Sequence, residues 1–150
     1  MLKTIDPTLN ADLLHALAAM GHGDDIVIAD ANFPADAVAR ATTLGHALRL
    51  DGVDAARAVR AILSLMPLDS FVDAPARRME VVGQPGEMPE VQREVAREVE
   101  AAEGRTVTLA PIERYAFYEA AKSAYCVVAT GERRFYGCFI LKKGVIPPSE

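Results

Sequence analysis

The stretch MGHGDDIVIAD, residues 20–30, decides the fold of this chain. Its centre, residues 26–29, is a short apolar run rich in β-branched side chains, and such runs are typical of strands buried within a sheet. A histidine between two glycines precedes the run, and Asp30 follows it. We therefore predict a buried strand that ends at Asp30.

The residues before this strand have the pattern of an amphipathic helix. Asn10 is a suitable N-cap, because its side chain can accept a hydrogen bond from the first helical turn. Gly21 stands where a left-handed C-terminal cap is expected. The apolar positions recur at helical spacing and are Leu13, Leu14, Leu17 and Met20. A helix thus leads into the turn that carries the histidine.

Helical and strand-like segments alternate through the rest of the chain. We predict helices after Pro34, over residues 54–65, between Pro89 and Gly104, and over residues 113–123. We predict strands over residues 47–50, 79–82, 107–109, 125–129 and 139–141. This alternation predicts an α/β fold, a single-domain sandwich over residues 1–150 in which helices cover a sheet.

Composition argues against several classes of function. The 150 residues include 16 basic and 21 acidic side chains, and the basic ones do not cluster as a nucleic-acid-binding surface requires. No apolar run approaches the ~18 residues that span a bilayer, and the N-terminus lacks the pattern of a secretory signal. We therefore expect neither nucleic acid nor a membrane as a partner. The mean hydropathy of +0.11 favours a buried subunit interface.

The motifs of metal, nucleotide and serine-hydrolase chemistry are missing from the sequence. Cys126 and Cys138 are twelve residues apart and form neither a CxxC pair nor a zinc set. We therefore expect no metal, and reduced thiols in a cytoplasmic protein. No glycine-rich phosphate loop and no GxSxG motif occurs, so a nucleotide site and a hydrolase nucleophile have no support.

His22 is the first candidate for chemistry. It lies between Gly21 and Gly23, so its imidazole is poorly shielded and the backbone can adopt angles that only glycine takes at little cost. Histidine is the natural group for proton transfer near neutral pH. The alternative is a surface loop histidine without a role.

Further candidates lie beyond the predicted strands. Asp30 can accept hydrogen bonds from sugar hydroxyls at the carboxyl end of its strand, or it caps the following turn. Tyr136 and Gly137 offer an exposed phenol and an approachable amide, or the tyrosine packs at a subunit interface. Arg114 and Tyr118 are four residues apart on one helix face, so they line one pocket or form an exposed pair.

Two separated motifs resemble the fucose mutarotase and ribose pyranase family. The first combines residues 20–24 with 30–34, and the second combines residues 130–132, 136–137 and 141–145. The opening MLKTIDPTLN and the block RYAFYE at residues 114–119 are similar to the fucose branch. The resemblance extends from residue 1 to about residue 146.

This resemblance implies an assembly and an activity. Members of the family are small α/β subunits that form rings, often decamers in bacteria, with active sites near subunit contacts. They interconvert the anomers of a free monosaccharide without a cofactor. We therefore expect a cytoplasmic, ring-forming isomerase of carbohydrate metabolism, a homodecamer acting on L-fucose or a similar sugar.

Motif positions in this resemblance imply roles for single residues. His22 corresponds to the catalytic proton donor, and Asp30 to a sugar-binding carboxylate. Arg114 falls at a sugar-binding position, and Tyr118 is expected beside it. The last element is the C-terminal sugar-binding triplet, Tyr136, Gly137 and Cys138.

The implied reaction needs one acid/base pair. A base removes the anomeric hydroxyl proton while an acid protonates the ring oxygen, and closure reverses both transfers. We assign His22 as the principal acid/base, with Tyr136 as its counterpart or as a group that positions a hydroxyl. Asp30 either orients the sugar, as Arg114 does, or orients the imidazole.

Cys138 departs from the family pattern, which usually has asparagine there. A thiol is a weak donor and a poor acceptor compared with an amide. Either another group covers that sugar hydroxyl, or the preferred sugar has changed, or the position acts through its backbone. Two other functions thus stay open: a ribose-type pyranase, against which the 114–119 block weighs, and a non-catalytic sugar-binding subunit.

Overall fold

The computed structural model describes residues 1–149. The helices are α1 (Ala11–Ala19), α2 (Ala35–Ala39), α3 (Ala55–Leu63), α4 (Glu90–Glu103) and α5 (Arg114–Lys122). The strands are β1 (Asp25–Ala29), β2 (Leu48–Leu50), β3 (Ala76–Met79), β4 (Ala110–Ile112), β5 (Cys126–Thr130) and β6 (Phe139–Lys142). No helix among the described residues is long and apolar enough to cross a membrane.

One mixed sheet of six strands forms the centre, in the order β2-β5-β1-β6-β3-β4. Strand β1 runs parallel to β5 and antiparallel to β6. Its side chains alternate between the two faces of the sheet, because successive residues of a strand point in opposite directions. Ile26 and Ile28 join the core under α1, α3 and α4, whereas Val27 and Ala29 join the core with Phe117 of α5. The predicted sandwich and its central strand are therefore confirmed.

The start of α1 is as predicted, but its end is not. The Asn10 side chain accepts a hydrogen bond from the Leu13 N–H at 3.0 Å, which confirms the N-cap. The predicted left-handed cap at Gly21 is wrong, because Met20 ends the helix in an extended conformation. The Gly21 N–H instead donates to the Asp24 carboxylate, and Gly23 takes the positive φ of 85°.

Strand β3 lies three residues earlier than the predicted strand at 79–82, because it includes a buried arginine. The Arg78 guanidinium donates to the carbonyls of Pro85 and Glu87 and to the Gln92 side chain. These contacts pair the two terminal nitrogens of a side chain that almost never enters a core unpaired, whereas its buried Nε has no partner among the described residues. The polar sequence ARRM therefore forms an inner strand, although its composition does not indicate one.

The predicted strand at 107–109 is also misplaced. Val107 and Leu109 are buried in the core without strand pairing, and the strand is β4, three residues later. Pro111 lies inside β4, which is an edge strand of the sheet. An edge strand tolerates proline, because the side without a neighbouring strand needs no backbone N–H donor. The Glu113 carboxylate then caps α5 by accepting hydrogen bonds from the backbone N–H groups of Tyr115 and Ala116.

Candidate functional site

A cleft opens at the carboxyl end of β1, the position where ligands bind in many α/β sheets. Its cavity volume is about 340 Å³. Asp30 and Asn32 follow β1, and the loop before β6 supplies Tyr136 and Cys138. The first turns of α5 supply Arg114 and Tyr118. The lining residues are Asp30, Asn32, Phe33, Met79, Arg114, Tyr118, Phe135, Tyr136 and Cys138. The fold thus gathers five of the residues singled out in the sequence.

Asp30 is the carboxylate at the base of this cleft and is 7% exposed. Its Oδ1 accepts the N–H of Asn32 at 3.0 Å, which is the turn cap expected from the sequence. Its own N–H donates to the Cys138 sulfur at 3.5 Å. No Lys, Arg or His side chain among residues 1–149 forms an ion pair with Asp30. The carboxylate can therefore accept hydrogen bonds from a ligand's hydroxyls.

Tyr136 has a backbone conformation that is rare for a tyrosine, with a φ of 63°. Such left-handed residues cost on the order of 1–3 kcal/mol and persist only where their surroundings hold them. Here the buried Gln92 side chain donates to the Tyr136 carbonyl at 3.1 Å and to the Met79 carbonyl at 2.7 Å. The phenol oxygen accepts the Val82 N–H at 3.3 Å, and its own O–H donates to no acceptor among the described residues.

Sequence analysis did not identify Gln92 as a supporting residue. The available signal is an uncharged polar residue next to Val91, on the helix stripe that continues with Val95 and Val99. A polar side chain in that stripe is buried, and a buried amide needs partners. One of those partners is the strained turn of Tyr136.

An ion-pair network holds the loop that carries Tyr136. Glu132 is buried and accepts hydrogen bonds from the Arg134 side chain and backbone, at 2.9 Å, and from the Ala55 N–H at 3.3 Å. Burial by itself raises the pKa of Glu132, but these hydrogen bonds outweigh it and lower the pKa to about 2. The loop is thus anchored by a carboxylate that stays charged at neutral pH.

Gly137 lies against this anchored carboxylate. A Cβ at position 137 would stand 2.7 Å from the Cγ of Glu132 and 3.4 Å from the Cβ of Asp30. We expect Gly137→Ala to lower the free energy of unfolding by about 1–3 kcal/mol, because Glu132 cannot move away without breaking its hydrogen bonds. Urea unfolding measures this. Gly86→Ala is the control, since nothing lies within 4 Å of its added Cβ, and equal unfolding midpoints for both variants would contradict the prediction.

Arg114 and Tyr118 form the pair expected on one face of α5. The Arg114 Nε donates to the Tyr118 phenol oxygen at 3.0 Å, and this hydrogen bond is the main cause that raises the pKa of the guanidinium. The Tyr118 ring packs on Phe33, with ring centroids 5.4 Å apart. Because Arg114 has no carboxylate partner among the described residues, its remaining N–H groups can donate to a ligand.

His22 lies outside this cleft, at the opposite end of β1. Strand β1 is about 13 Å long from Asp25 to Ala29, at ~3.3 Å of rise per residue, and His22 and Asp30 lie beyond its two ends. The imidazole Nε2 is 3.1 Å from Asp69 Oδ1, and the ring lies beside Phe71 with centroids 5.5 Å apart. The His22 side chain is 45% exposed, whereas that of Asp69 is 3% exposed. Within this chain, His22 and the cleft are therefore separate, and the carboxylate that contacts the imidazole is Asp69.

The fold and the cleft define a class of protein. It is a small α/β protein whose cleft presents a carboxylate, a guanidinium and two phenols, the groups that bind a small polyhydroxylated molecule. Among residues 1–149 no cluster of His, Cys, Asp and Glu is arranged to hold a metal ion.

The chain belongs to the RbsD / FucU transport protein family, whose model matches residues 3–146. It is 45% identical to the human fucose mutarotase, over 97% of this chain and 94% of the relative. It is 43% identical to an L-fucose mutarotase of Haemophilus influenzae, over 98% and 99%. Its structure is similar to the crystal structure of the fucose mutarotase from Streptococcus pneumoniae in complex with L-fucose, with a TM-score of 0.85. The two sequences are 40% identical, and the match covers 97% of this chain and 100% of the other.

Proposed function

We propose that this chain is an L-fucose mutarotase, an isomerase that interconverts the α and β anomers of the free sugar. The full-length similarity to fucose mutarotases supports the activity and the sugar. The observation that carries the proposal in this structure is the cleft in which Asp30, Arg114 and Tyr136 converge without a competing ion pair. These groups suit neutral hydroxyls, which need donors and acceptors on several sides.

The reaction opens and recloses a hemiacetal. One group gives a proton to the ring oxygen as the C1–O bond breaks, and another removes the proton of the anomeric hydroxyl as the carbonyl forms. We assign His22 as the principal acid/base and Tyr136 as its counterpart, because the phenol O–H is free to donate. Asp30, Arg114 and Tyr118 hold the sugar, and Gly137 with Cys138 completes the wall of the cleft.

A complete site then needs two subunits. Because β1 separates His22 from the cleft, we propose that His22 of one subunit faces the cleft of a neighbouring one. The two half-sites of such a site, His22 with Asp69 on one subunit and the cleft on the other, each expose a large aromatic side chain. Phe71 is 73% exposed beside His22, and Phe135 is 74% exposed in the wall of the cleft. Exposed apolar surface of this kind favours coverage by another copy of the chain. A cytoplasmic ring of such subunits, as in the homodecamer expected from the resemblance, would supply these contacts repeatedly.

The cysteine at position 138 makes a subunit that binds sugar without turnover the second candidate function. The thiol is buried, burial raises its pKa well above the ordinary value, and its sulfur accepts the Asp30 N–H. It therefore remains a neutral thiol, which forms much weaker hydrogen bonds with a ligand than a side-chain amide does. A subunit that binds sugar without turnover, and a ribose-type pyranase, are the outcomes that the test must separate from L-fucose mutarotation.

NMR exchange spectroscopy on equilibrated sugars tests the proposal. We expect the wild-type protein to increase the exchange rate between α- and β-L-fucose in proportion to protein concentration, with a weaker effect on D-ribose. A binding-only subunit would broaden the L-fucose resonances without accelerating exchange. A larger acceleration of pyranose–furanose exchange in ribose would favour the pyranase instead.

A further inference from the structure

We infer that Gln92, oriented by the buried Arg78, is a positioning residue that holds Tyr136 and so fixes the place of its phenol in the cleft. This inference rests on the proposed function, in which Tyr136 is the counterpart of His22 in proton transfer. Gln92 is fully buried and is not part of the cleft lining. It therefore has no route to the sugar except through the residues that it contacts.

The partners of the Gln92 side chain permit only one orientation of its amide. The Nε2 group donates to the Met79 carbonyl at 2.7 Å and to the Tyr136 carbonyl at 3.1 Å, which uses both of its N–H donors. The Oε1 atom accepts from Arg78 Nη1 at 3.1 Å. Because a guanidinium only donates and a carbonyl only accepts, a turned amide would lose all three hydrogen bonds. The donor that faces Tyr136 is therefore fixed.

Arg78 carries a buried positive charge without a carboxylate partner. The residue is 4% exposed, and it forms no ion pair among the described residues. Burial lowers the pKa of the guanidinium, and the charge of Glu80 opposes this. Burying a charge costs free energy, and an apolar side chain of similar length would avoid that cost. The charge is better explained by what it orients, the Gln92 amide and the carbonyls of Pro85 and Glu87.

Tyr136 is also held at its phenol, by the segment between β3 and α4. The Val82 N–H donates to the phenol oxygen at 3.3 Å. Val82 belongs to the same segment as the two backbone carbonyls that Arg78 holds. The buried cation thus acts on both ends of Tyr136, on the carbonyl through Gln92 and on the phenol through the segment that carries Val82.

The backbone of Tyr136 makes this support necessary. Its φ of 63° lies in the left-handed region, which a tyrosine occupies only when its surroundings hold it there. Without the Gln92 donor, the carbonyl loses its hydrogen bond and the residue can relax toward an ordinary conformation, which moves the phenol. Proton transfer is sensitive to such movement, because a displacement of about 1 Å can lower a rate by about a hundredfold.

Gln92→Met tests the inference, because methionine has a similar length and no hydrogen-bond donor. We expect kcat for the exchange of α- and β-L-fucose to fall by about tenfold to a hundredfold, with a smaller change in KM. Gln92→Glu is a second variant with the same expected loss, since an ionised carboxylate can accept from Arg78 but cannot donate to either carbonyl. The exchange rate as a function of sugar concentration measures kcat and KM.

Thr42→Val is the matched control for the loss of buried hydrogen bonds. Thr42 is 7% exposed, and its hydroxyl donates to the Ala39 carbonyl at 2.6 Å and accepts the Gly45 N–H at 3.2 Å. Neither contact involves a residue that lines the cleft. We expect this variant to lose stability in urea unfolding, as Gln92→Met does, and to keep the wild-type kcat.

Two readouts separate positioning from a merely structural role. In protein labelled with fluorotyrosine, the fluorine resonance of Tyr136, assigned from its loss in Tyr136→Phe, should shift or split in Gln92→Met. The same resonance should stay in place in Thr42→Val. In a Tyr136→Phe background, Gln92→Met should lower kcat by less than about twofold more, whereas a structural defect would add its full loss.

A wild-type kcat in both Gln92 variants, an unchanged Tyr136 resonance, or an equal loss with and without the Tyr136 phenol would overturn the inference. A wild-type protein that fails to accelerate exchange would overturn the proposed function instead. The Tyr136 resonance would then still decide whether Gln92 holds the phenol in place.

Discussion

Replacing His22 with glutamine is expected to lower the catalysed exchange of α- and β-L-fucose by about 10²–10⁴-fold, the usual contribution of one positioned proton-transfer group. Glutamine cannot shuttle a proton at neutral pH, but its amide can still donate to Asp69. The buried carboxylate therefore keeps a partner, and the fold should be retained, because the His22 side chain is 45% exposed. Exchange spectroscopy and urea unfolding on the same samples measure both effects.

His15 provides the matched control for this substitution. It lies on α1, and its exposed side chain makes no hydrogen bond among the described residues. His15→Gln should leave both the exchange rate and the unfolding midpoint unchanged. If His22→Gln exchanged the anomers at the wild-type rate, histidine would have no part in the reaction, and the cleft alone would have to carry the chemistry.

Mixing two inactive variants should restore activity. The first variant is His22→Gln, and the second is the cleft variant Asp30→Asn with Tyr136→Phe. If His22 serves a neighbouring cleft, a hybrid assembled from equal amounts of both chains contains some contacts at which an intact histidine meets an intact cleft. Random assembly predicts such contacts at about a quarter of the sites in a symmetric ring, hence about a quarter of the wild-type rate.

Co-expression with two different affinity tags, followed by sequential purification, isolates the hybrids for exchange spectroscopy. Homomeric assemblies of each variant, purified in the same way and mixed without subunit exchange, should remain inactive. Hybrids as inactive as their parents would mean that each subunit uses its own histidine. That result would require a rearrangement of β1, which separates the two half-sites here.

Local sequence patterns predicted the central elements because those elements depend on near neighbours. The apolar run of β1, the Asn10 cap of α1 and the alternation of helices and strands follow from contacts within a few residues. The same limit explains the errors. Strand β3 was misplaced because Arg78 finds its partners in the segment from Pro85 to Gln92, and no local rule indicates that a polar strand will be buried.

The candidate site shows the same difference between local and distant contacts. One cleft contains four residues that the sequence motifs indicated, namely Asp30, Arg114, Tyr118 and Tyr136. The roles of these residues stay predictions. Asp69 and Gln92 were not identified, because each acts through a partner more than forty residues away.

By itself, the sequence determined the sandwich of helices on a sheet, the family, and the residue types available for proton transfer and hydroxyl binding. Only the tertiary structure decided that His22 and the cleft lie at opposite ends of β1, and which carboxylate contacts the imidazole. The physical reason is that side-chain periodicity is set by the local backbone, whereas the meeting of distant polar groups depends on the register and order of strands. That order placed Asp69 beside the end of β6 and Tyr136 beside α4.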